Sequence, residues 1–491
     1  MRRTPTRLSV AAAVTAALTA LVPAPSAGAG EAEGFRYGEA GARTATYFAA
    51  IANLASAVMF SGLGEELVVS PYERDDWLRR AGYVTRPPMP DLAVVGAVYA
   101  AALPRFAAAP DYARPETLRW RPDSFDRTLD PGAQAWTLLK ITSPEFHLQF
   151  HDLPENRLAA LMMVPQARAQ AEILDERLRT KDGLFAPRSP EGRPLAADPR
   201  DQAAVLWAAS SLILAATSPR ADYWHRAYRD LVDADDYRPL ADQALAAVEK
   251  LPPRTAADRA IAIEALARYA LAATDGARRG RALDLARGHA DRLRAGPGET
   301  LEDLALAVYG LVEAGRLFGD ETYSRAAAER FRSSLLPLWD DGIGIFRPPG
   351  GDQRVVYTPA AVGAVVAALN AMRWLGPAEL AAEARRLYPR FFEGAIVRSG
   401  LLQASPAPLA SRKYREAEPA SNFAHPLLPS SKDAGVAPVF ASEVAYENGR
   451  WTVTDPMFRT GPAMFLANML ALRSGGRADT FLPDDRLAEL R

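Results

Sequence analysis

The feature of this sequence that most constrains its fold is a turn that recurs three times after an amphipathic helix. Each copy places a glycine behind the helix and then runs through apolar residues to a proline, at Gly183, Gly342 and Gly400. The gap from Gly183 to Gly342 is nearly three times the gap from Gly342 to Gly400, so a unit of roughly 53–58 residues fits both. The sequence therefore predicts a chain built from repeated helical hairpins.

Two kinds of predicted helix alternate through the chain. Thr300–Gly315 is apolar almost all round, as is typical of a helix buried on both sides, whereas Glu321–Leu338 carries its apolar residues on one stripe. The same buried pattern recurs in Asp201–Ala216, Ala256–Ala273, Thr358–Leu375 and Gly461–Leu472. Inner and outer helices in alternation predict an all-α fold, an α/α toroid whose closed ring hides both ends. An open solenoid is the alternative.

The three glycine turns follow outer helices and precede inner ones, so we expect them on one rim. Short β-hairpins are predicted in these rim loops. One would pair Gly344–Phe346 with Val355–Tyr357, and the clearest would run from Pro438–Tyr446 through an Asn-Gly turn into Trp451–Thr454. The longest irregular stretch, residues 400–460, is a rim loop of the kind in which functional residues usually collect.

The N-terminus is typical of a secretory signal peptide. Basic residues precede an uncharged apolar run, Val10–Val22, and small residues follow it up to Ala29. The run is shorter than the roughly 20 residues that span a bilayer. We therefore expect a signal at residues 1–29 that is cleaved rather than retained as an anchor. The mature protein would be secreted or periplasmic, with no integral membrane segment.

The rest of the chain divides into two predicted regions. Residues 30–156 are expected to form an N-terminal helical region with proline-rich connectors, including helices at Thr44–Phe60 and Asp91–Phe106. Residues 157–491 are expected to form the toroid, because the alternation of helices is clear only from there on.

Composition excludes several classes of function. The chain has no cysteine, so it has no disulfide, iron–sulfur cluster or thiolate zinc site. A net charge of −1 provides no long-range attraction for nucleic acid, and no nucleic-acid partner is expected. Phosphate-loop, dinucleotide-binding and nucleophile-elbow motifs are absent from the sequence, and no cofactor is predicted.

In its alternating helices and in the Asp340–Phe346 turn before Thr358-Pro359, the chain resembles the six-hairpin α/α-toroid superfamily. That superfamily includes glycoside hydrolases, polysaccharide lyases and sugar epimerases. The resemblance implies a funnel lined by the ends of inner helices and by rim loops, with carboxylates and aromatic platforms inside it. Sugar hydrolysis needs two carboxyl groups, one to protonate the leaving oxygen and one to activate water or attack directly.

The acidic residues predicted near this rim are the catalytic candidates Asp201, Glu302, Asp303, Asp340 and Asp341. Aromatic residues that offer a stacking face for a sugar ring are Trp339, Phe346, Tyr357 and Trp451. A lyase would also need a His, Tyr or Arg near the funnel, for which Arg354, Tyr357 and His425 are the candidates.

Each of these residues also has a purely structural interpretation. Thr300 followed by Glu302 and Asp303 is typical of a helix N-terminus, where acids favour the positive end of the helix. Asp201 lies in the first turn after an Asp-Pro cap, and Asp341-Gly342 is ordinary turn chemistry. Trp339 and Phe346 are of a type that is more often found in a core than on a platform.

A separate cluster contains His147 and His151. On a helix these residues would lie on one face at metal-ligand spacing, with Glu145 and Asp152 as further ligands. The alternation of apolar residues in the same segment equally predicts a strand, in which the two histidines would lie about 13 Å apart, too far for one ion. Metal binding through His147 and His151 is therefore a minority hypothesis.

Two functions of different classes remain open from the sequence. The leading one is a secreted carbohydrate-active enzyme, a hydrolase or lyase that works through rim carboxylates. The rival is a non-catalytic secreted or periplasmic binding or scaffold protein that uses the same rim for a protein partner.

Overall fold

The computed structural model describes residues 34–35, 37–39, 41–42, 46, 49–50, 57, 61–85, 93–110, 117–143, 154–221, 223–296, 298–350, 354–403, 436–470 and 482–490. The predicted signal peptide and most of the helix predicted for Thr44–Phe60 lie outside these residues. So do His147, His151 and His425, and most of the first half of the predicted rim loop.

The described part of the chain is mostly helical, with three small sheets. Its helices are α1 (Pro71–Ala81), α2 (Pro131–Ile141), α3 (Pro154–Ile173), α4 (Pro199–Ala216), α5 (Tyr223–Leu231), α6 (Ala234–Lys250), α7 (Ala256–Ala272), α8 (Gly276–Ala295), α9 (Leu301–Phe318), α10 (Glu321–Arg330), α11 (Pro359–Leu375), α12 (Ala378–Phe391), α13 (Thr460–Leu470) and α14 (Asp484–Leu487). Its strands are β1 (Gly64–Val68), β2 (Ala93–Ala102), β3 (Phe125–Leu129), β4 (Trp339–Asp340), β5 (Ile345–Phe346), β6 (Val355–Tyr357), β7 (Glu443–Glu447), β8 (Arg450–Asp455) and β9 (Phe458–Arg459). None of the described helices is both long enough and apolar enough to cross a membrane.

Six of the helices pack in a cycle of contacts. Helices α2, α4, α7, α9, α11 and α13 each contact the next in this order, and α13 packs back against α2. They are buried nearly all round, whereas α3, α6, α8, α10 and α12, which pack on the first five of them in turn, are buried on one face. The predicted inner and outer helices are therefore present, and α2, which the sequence left unassigned, is a further inner helix.

The inner helices meet in an aromatic cluster. The ring of Trp136 from α2 lies 5.6 Å from that of Trp207 in α4 and 5.1 Å from that of Phe465 in α13, edge to face in both cases. All three side chains are almost fully buried. Edge-to-face pairs of this kind add to the burial of apolar area, and they join three helices that are far apart in sequence.

The N-terminal region is not purely helical, and the helix predicted for Asp91–Phe106 is wrong. Residues 93–102 form β2, which pairs antiparallel with β1, with β3 and with β9. Valines at 94, 95 and 98 favour a strand, and an apolar run that is covered on both faces lacks the period that distinguishes a strand from a helix. The prediction of an all-α fold is correct only at the coarser level of a mostly helical protein.

One predicted rim hairpin is confirmed and the other is wrong. Strands β7 and β8 pair around Asn448 and Gly449, both at positive φ, as the Asn-Gly signal indicates. The expected pairing of Gly344–Phe346 with Val355–Tyr357 does not form. Strand β5 pairs instead with β4, while β6 adds to β7 in a three-stranded sheet.

The three glycine turns share one structural setting. Each follows an outer helix that ends in a π-helical segment, namely Leu174–Leu178, Phe331–Leu335 and Phe392–Arg398. In the first and third turns Gly183 and Gly400 have positive φ, whereas in the second this conformation belongs to Gly344 rather than Gly342. The recurrence of the same ending supports the repeat that the sequence predicted.

Candidate functional site

Four of the inner helices, α2, α4, α7 and α9, have acidic side chains at their N-terminal ends. Asp130 caps α2 by accepting a hydrogen bond of 2.8 Å from the N–H of Ala133, and Asp198 caps α4 by accepting one of 2.8 Å from the N–H of Arg200. Threonines cap α7, α9 and α11 in the same way. Carboxylates are favoured at these ends because the helix dipole is positive there.

Hydrogen bonds between helices bring these ends together. Arg200 in the first turn of α4 binds Asp258 of α7 at 3.0 Å through Nε, and it also pairs with Glu302 of α9. Asp303 of α9 accepts a 2.9 Å hydrogen bond from the backbone N–H of Ala257 in α7. The first turns of α4, α7 and α9 therefore lie side by side at one end of the helix cycle.

At the same end, Asp130 and Asp201 form a pair of carboxyl groups. Gly132 lies between them: a Cβ placed on Gly132 would overlap Oδ1 of Asp201 and lie 3.1 Å from Oδ1 of Asp130. Because both oxygens lie within 3.1 Å of that one point, they are separated by no more than about 6 Å. Both side chains are half-buried. In the part of the chain that the structure describes, the Asp201 carboxyl has no hydrogen-bond or ion-pair partner.

The surroundings of this pair favour its protonated form. Burial, followed by the negative charges of Asp130 and Asp198, raises the pKa of Asp201 well above its usual range, and Arg200 opposes the rise. Burial also raises the pKa of Asp130, against the effect of hydrogen bonds from the backbone amides of Ala133 and Gly132. The two carboxyl groups thus differ in environment, because backbone N–H groups favour the ionised form of Asp130 alone.

A partly accessible carboxyl group whose pKa is raised, beside a second carboxyl group whose ionised form receives backbone hydrogen bonds, suits general acid–base chemistry. The first group donates a proton to a leaving oxygen, and the second attacks or accepts a proton. We take Asp130 and Asp201 as the candidate active site.

The sequence-predicted acids fall into two groups. Asp201, Glu302 and Asp303 all lie at the N-terminal ends of inner helices, as expected. Glu302 is ion-paired with Arg200, however, and both oxygens of Asp303 are used, one by the N–H of Ala257 and one by the hydroxyl of Thr300 at 3.0 Å. Asp201 is the one of these three whose carboxyl group has no partner among the described residues.

Asp340 and Asp341 are engaged in the turn that follows β4. Asp340 accepts hydrogen bonds from the N–H of Gly342 and pairs with Arg347 at 2.8 Å. Asp341 is exposed, pairs with Arg390 at 2.6 Å, and accepts a hydrogen bond from Nε1 of Trp339. The hydrogen bond from Trp339, then those from Arg386 and Arg390, lower the pKa of Asp341. The structural interpretation accounts for the contacts of both residues, and their catalytic role stays a prediction.

Two of the predicted sugar platforms are corrected. Phe346 and Tyr357 are fully buried, so neither ring has a free face for a ligand. The Tyr357 hydroxyl instead accepts from the N–H of Phe346 at 3.1 Å and donates to the carbonyl of Phe346 at 2.5 Å, which locks β5 to β6. Trp339 and Trp451 are half-buried and keep part of their rings accessible, and Arg354 is exposed.

Sequence reasoning missed Asp130, although a signal for it was present. The segment from Asp130 to Gln134 and the segment from Asp198 to Gln202 share the pattern Asp-Pro-x-x-Gln. In both, aspartate caps the helix, proline takes its first position, and glutamine binds a neighbouring backbone segment. A comparison of the two segments identifies α2 as an inner helix and places Asp130 at the same end as Asp201.

A surface groove lies apart from this pair of carboxyl groups. A groove of about 630 Å³ at the C-terminal end of α4 contains Arg229 and Arg238, but both guanidinium groups donate to backbone carbonyls. Among the described residues, no cluster of three or more histidine and acidic side chains has the arrangement to hold a metal ion. The metal site predicted at His147 and His151 falls outside those residues.

Comparison with known proteins yields only distant structural matches. No protein-family model and no curated protein matches the chain. A crystal structure of a sugar epimerase from a ruminal bacterium aligns with a TM-score of 0.41 and 12% identity, covering 70% of this chain and 87% of that one. A crystal structure of a D-mannose isomerase aligns with a TM-score of 0.44 and 11% identity, covering 82% and 97%. Likeness at this level decides neither family nor reaction, so the function has to follow from the side chains of this chain.

Proposed function

We propose that this protein is a carbohydrate-processing enzyme and that Asp130 and Asp201 are its acid–base pair. The observation that carries the proposal is the state of Asp201. Its carboxyl group is half-buried, has no hydrogen-bond or ion-pair partner among the described residues, and lies within about 6 Å of a second carboxyl group. A group in this state is costly to the folded protein, which is typical of functional sites.

The cycle of helix contacts supports an α/α toroid with this pair at one mouth. Six inner helices contact one another in order and the last returns to the first, as a closed ring requires. The aromatic cluster of Trp136, Trp207 and Phe465 fills space between inner helices. A substrate would therefore be bound near the acidic helix ends, with half-buried aromatic side chains such as Trp451 as candidate stacking faces.

The roles of the two acids follow from their environments. Asp201, whose carboxyl group receives no hydrogen bond from the described residues and whose pKa is raised, donates its proton to the oxygen that leaves. Asp130, whose carboxylate form accepts hydrogen bonds from backbone amides, attacks the sugar carbon or takes a proton. The upper bound of about 6 Å on the distance between the two Oδ1 atoms lies below the roughly 6.5–9.5 Å of inverting glycosidases and admits the roughly 5–5.5 Å of retaining ones. We therefore propose a hydrolase of retaining stereochemistry, secreted through the predicted N-terminal signal.

The test is release of reducing ends from a panel of polysaccharides and oligosaccharides by residues 30–491. Asp201→Asn and Asp130→Asn are each expected to lower the rate at least about 100-fold without loss of folding. Asp341→Asn is the matched control and is expected to retain activity. Abolition by Asp341→Asn alone would move the catalytic centre to the β4–β5 turn. No release from any substrate would favour the rival binding protein that uses this rim for a protein partner.

A further inference from the structure

Building on this proposed function, we propose that Arg200 is a positioning residue for Asp201. Asp258 and Glu302 bind its guanidinium group, so the positive charge is paired with these two carboxylates and not with the Asp201 carboxyl. Asp201 is thereby left beside Asp130 and Asp198 without an ion-pair partner among the described residues, which favours its protonated form.

The contacts of Arg200 show how it is held. Its Nε lies 3.0 Å from Oδ1 of Asp258, and its Nη1 pairs with Oε1 of Glu302. The side chains are only 27%, 10% and 22% exposed for Arg200, Asp258 and Glu302. Ion pairs this far from solvent are less screened than surface pairs, and removing one partner leaves the other uncompensated.

The partners of Arg200 are themselves fixed by the backbone. Asp258 accepts hydrogen bonds from the N–H of Thr255 at 3.1 Å and of Arg254 at 3.3 Å, as part of the cap of α7. Glu302 lies in the first turn of α9. These backbone hydrogen bonds orient the Asp258 carboxylate and so fix the position at which the Arg200 guanidinium group binds it.

In the described part of the chain, the charged groups around Asp201 are few. Asp130 comes from α2, Asp198 and Arg200 come from α4, and Asp126 of β3 acts on Asp130. Asp258 and Glu302 face Arg200, and Asp303 is turned to the N–H of Ala257. Arg200 is thus the nearby cation whose position decides whether Asp201 is paired, and an opposite charge brought within about 4–6 Å of a carboxyl lowers its pKa by roughly 1–3 units.

Glu302→Gln removes the charge that holds one arm of Arg200, so the guanidinium group gains freedom to approach Asp201. The readout is the titration of the Asp201 carboxyl in ¹³C-aspartate-labelled protein, with its signal identified by its loss in Asp201→Asn. We expect Glu302→Gln to move this titration at least about one pH unit lower. We expect Arg200→Gln to move it higher, because the opposing cation is then absent.

The double variant Arg200→Gln/Glu302→Gln separates positioning from simple loss of a negative charge. It is expected to titrate like Arg200→Gln. The proposal would be overturned if Glu302→Gln lowered the titration of the Asp201 carboxyl equally with and without Arg200. It would also be overturned if Arg200→Gln left that titration unchanged. If Glu302→Gln does not fold, Asp258→Asn frees the other arm of Arg200, keeps a capping side chain, and is expected to lower the titration in the same way.

This experiment does not depend on catalytic activity. If no glycosidic bond is cleaved but the titrations shift as expected, the proposed function fails while the role of Arg200 stands. If bonds are cleaved and the titrations do not shift, the proposed function stands while the role of Arg200 fails.

Discussion

Gln134 and Gln202 occupy the same position in α2 and α4 and make the same pair of backbone hydrogen bonds. The Gln134 side chain accepts from the N–H of Val98 and donates to the carbonyl of Val98, at 2.9 and 2.5 Å. The Gln202 side chain does the same to Phe185, at 2.8 Å in both directions. Each glutamine thus acts as a one-residue extension of a strand, and it fixes a neighbouring segment to the helix end that carries an aspartate of the candidate site.

Gln202→Ala is expected to destabilise the protein by at least about 2 kcal/mol, because it leaves two buried backbone groups of Phe185 without partners. The free energy of unfolding, measured by chemical denaturation, checks this. Gln166→Met is the matched control. Gln166 is equally buried, but neither atom of its amide has a partner among the described residues, so the change is expected to be neutral or stabilising. Equal losses of unfolding free energy in both variants would contradict a stabilising role for the hydrogen bonds between Gln202 and Phe185.

Gly132→Ala is expected to destabilise the protein by about 1–3 kcal/mol, because the added Cβ would overlap Oδ1 of Asp201 and crowd Asp130. Activity should fall as well, since the methyl group enters the space between the two carboxyl groups. The control is Gly276→Ala at the start of α8, where a Cβ meets no atom within 4 Å. That change is expected to be neutral or slightly stabilising through the unfolded chain. A Gly132→Ala protein as stable and active as the Gly276→Ala one would contradict this geometry.

Asp201→Asn is expected to raise the melting temperature at pH 7 while it removes activity. A carboxyl whose folded pKa is raised makes the folded state less favourable at every pH above its unfolded pKa, near 3.9, because only the unfolded chain ionises freely. The gain should therefore vanish as the pH falls below about 4. Melting curves at pH 4 and pH 7 test this. Asp320→Asn should show the opposite sign, because hydrogen bonds from Thr322 lower the pKa of Asp320.

Glu264 is expected to make the stability of the protein fall as the pH rises from about 5 to about 8. This side chain is fully buried, and burial, opposed by Arg268 and aided by Glu313, raises its pKa to about 8. Between the unfolded and folded pKa values the folded state binds the extra proton, so stability decreases by up to about 1.4 kcal/mol per pH unit. Glu264→Gln should flatten this slope and still accept the hydrogen bond from Arg268.

Denaturation at pH 5, 6.5 and 8 measures that slope. The control is Glu329→Gln, because Glu329 is exposed and its loss should leave the slope as it is. Equal slopes in the wild-type protein and Glu264→Gln would show that Glu264 is ionised or paired differently in the folded state.

Features that depend on neighbours in sequence were predictable. Helices α9 and α11 are apolar almost all round over 18 and 17 residues, a length typical of buried helices and not of strands, and the turn at Asn448-Gly449 needs only residues that tolerate positive φ. The recurring glycine turns likewise indicated a repeat of helical hairpins. These signals are local, so one sequence suffices to recognise them.

Features that depend on residues far apart in sequence were not predictable. Residues 93–102 are a strand because β1, β3 and β9 are there to pair with them, and β6 pairs with β7, which lies far along the chain. A short apolar run carries no mark of which partner will complete its hydrogen bonds.

The candidate site shows the same division. The sequence by itself determined that Asp201, Glu302 and Asp303 lie at the starts of inner helices, where they look alike because each suits the positive end of a helix. Only the tertiary structure decided that Asp258 and Glu302 bind Arg200, that Asp303 binds a backbone amide, and that Asp201 faces Asp130. The physical reason is that the proton affinity of a carboxyl group is set by desolvation and by charges within a few ångströms, and both depend on how the helices pack.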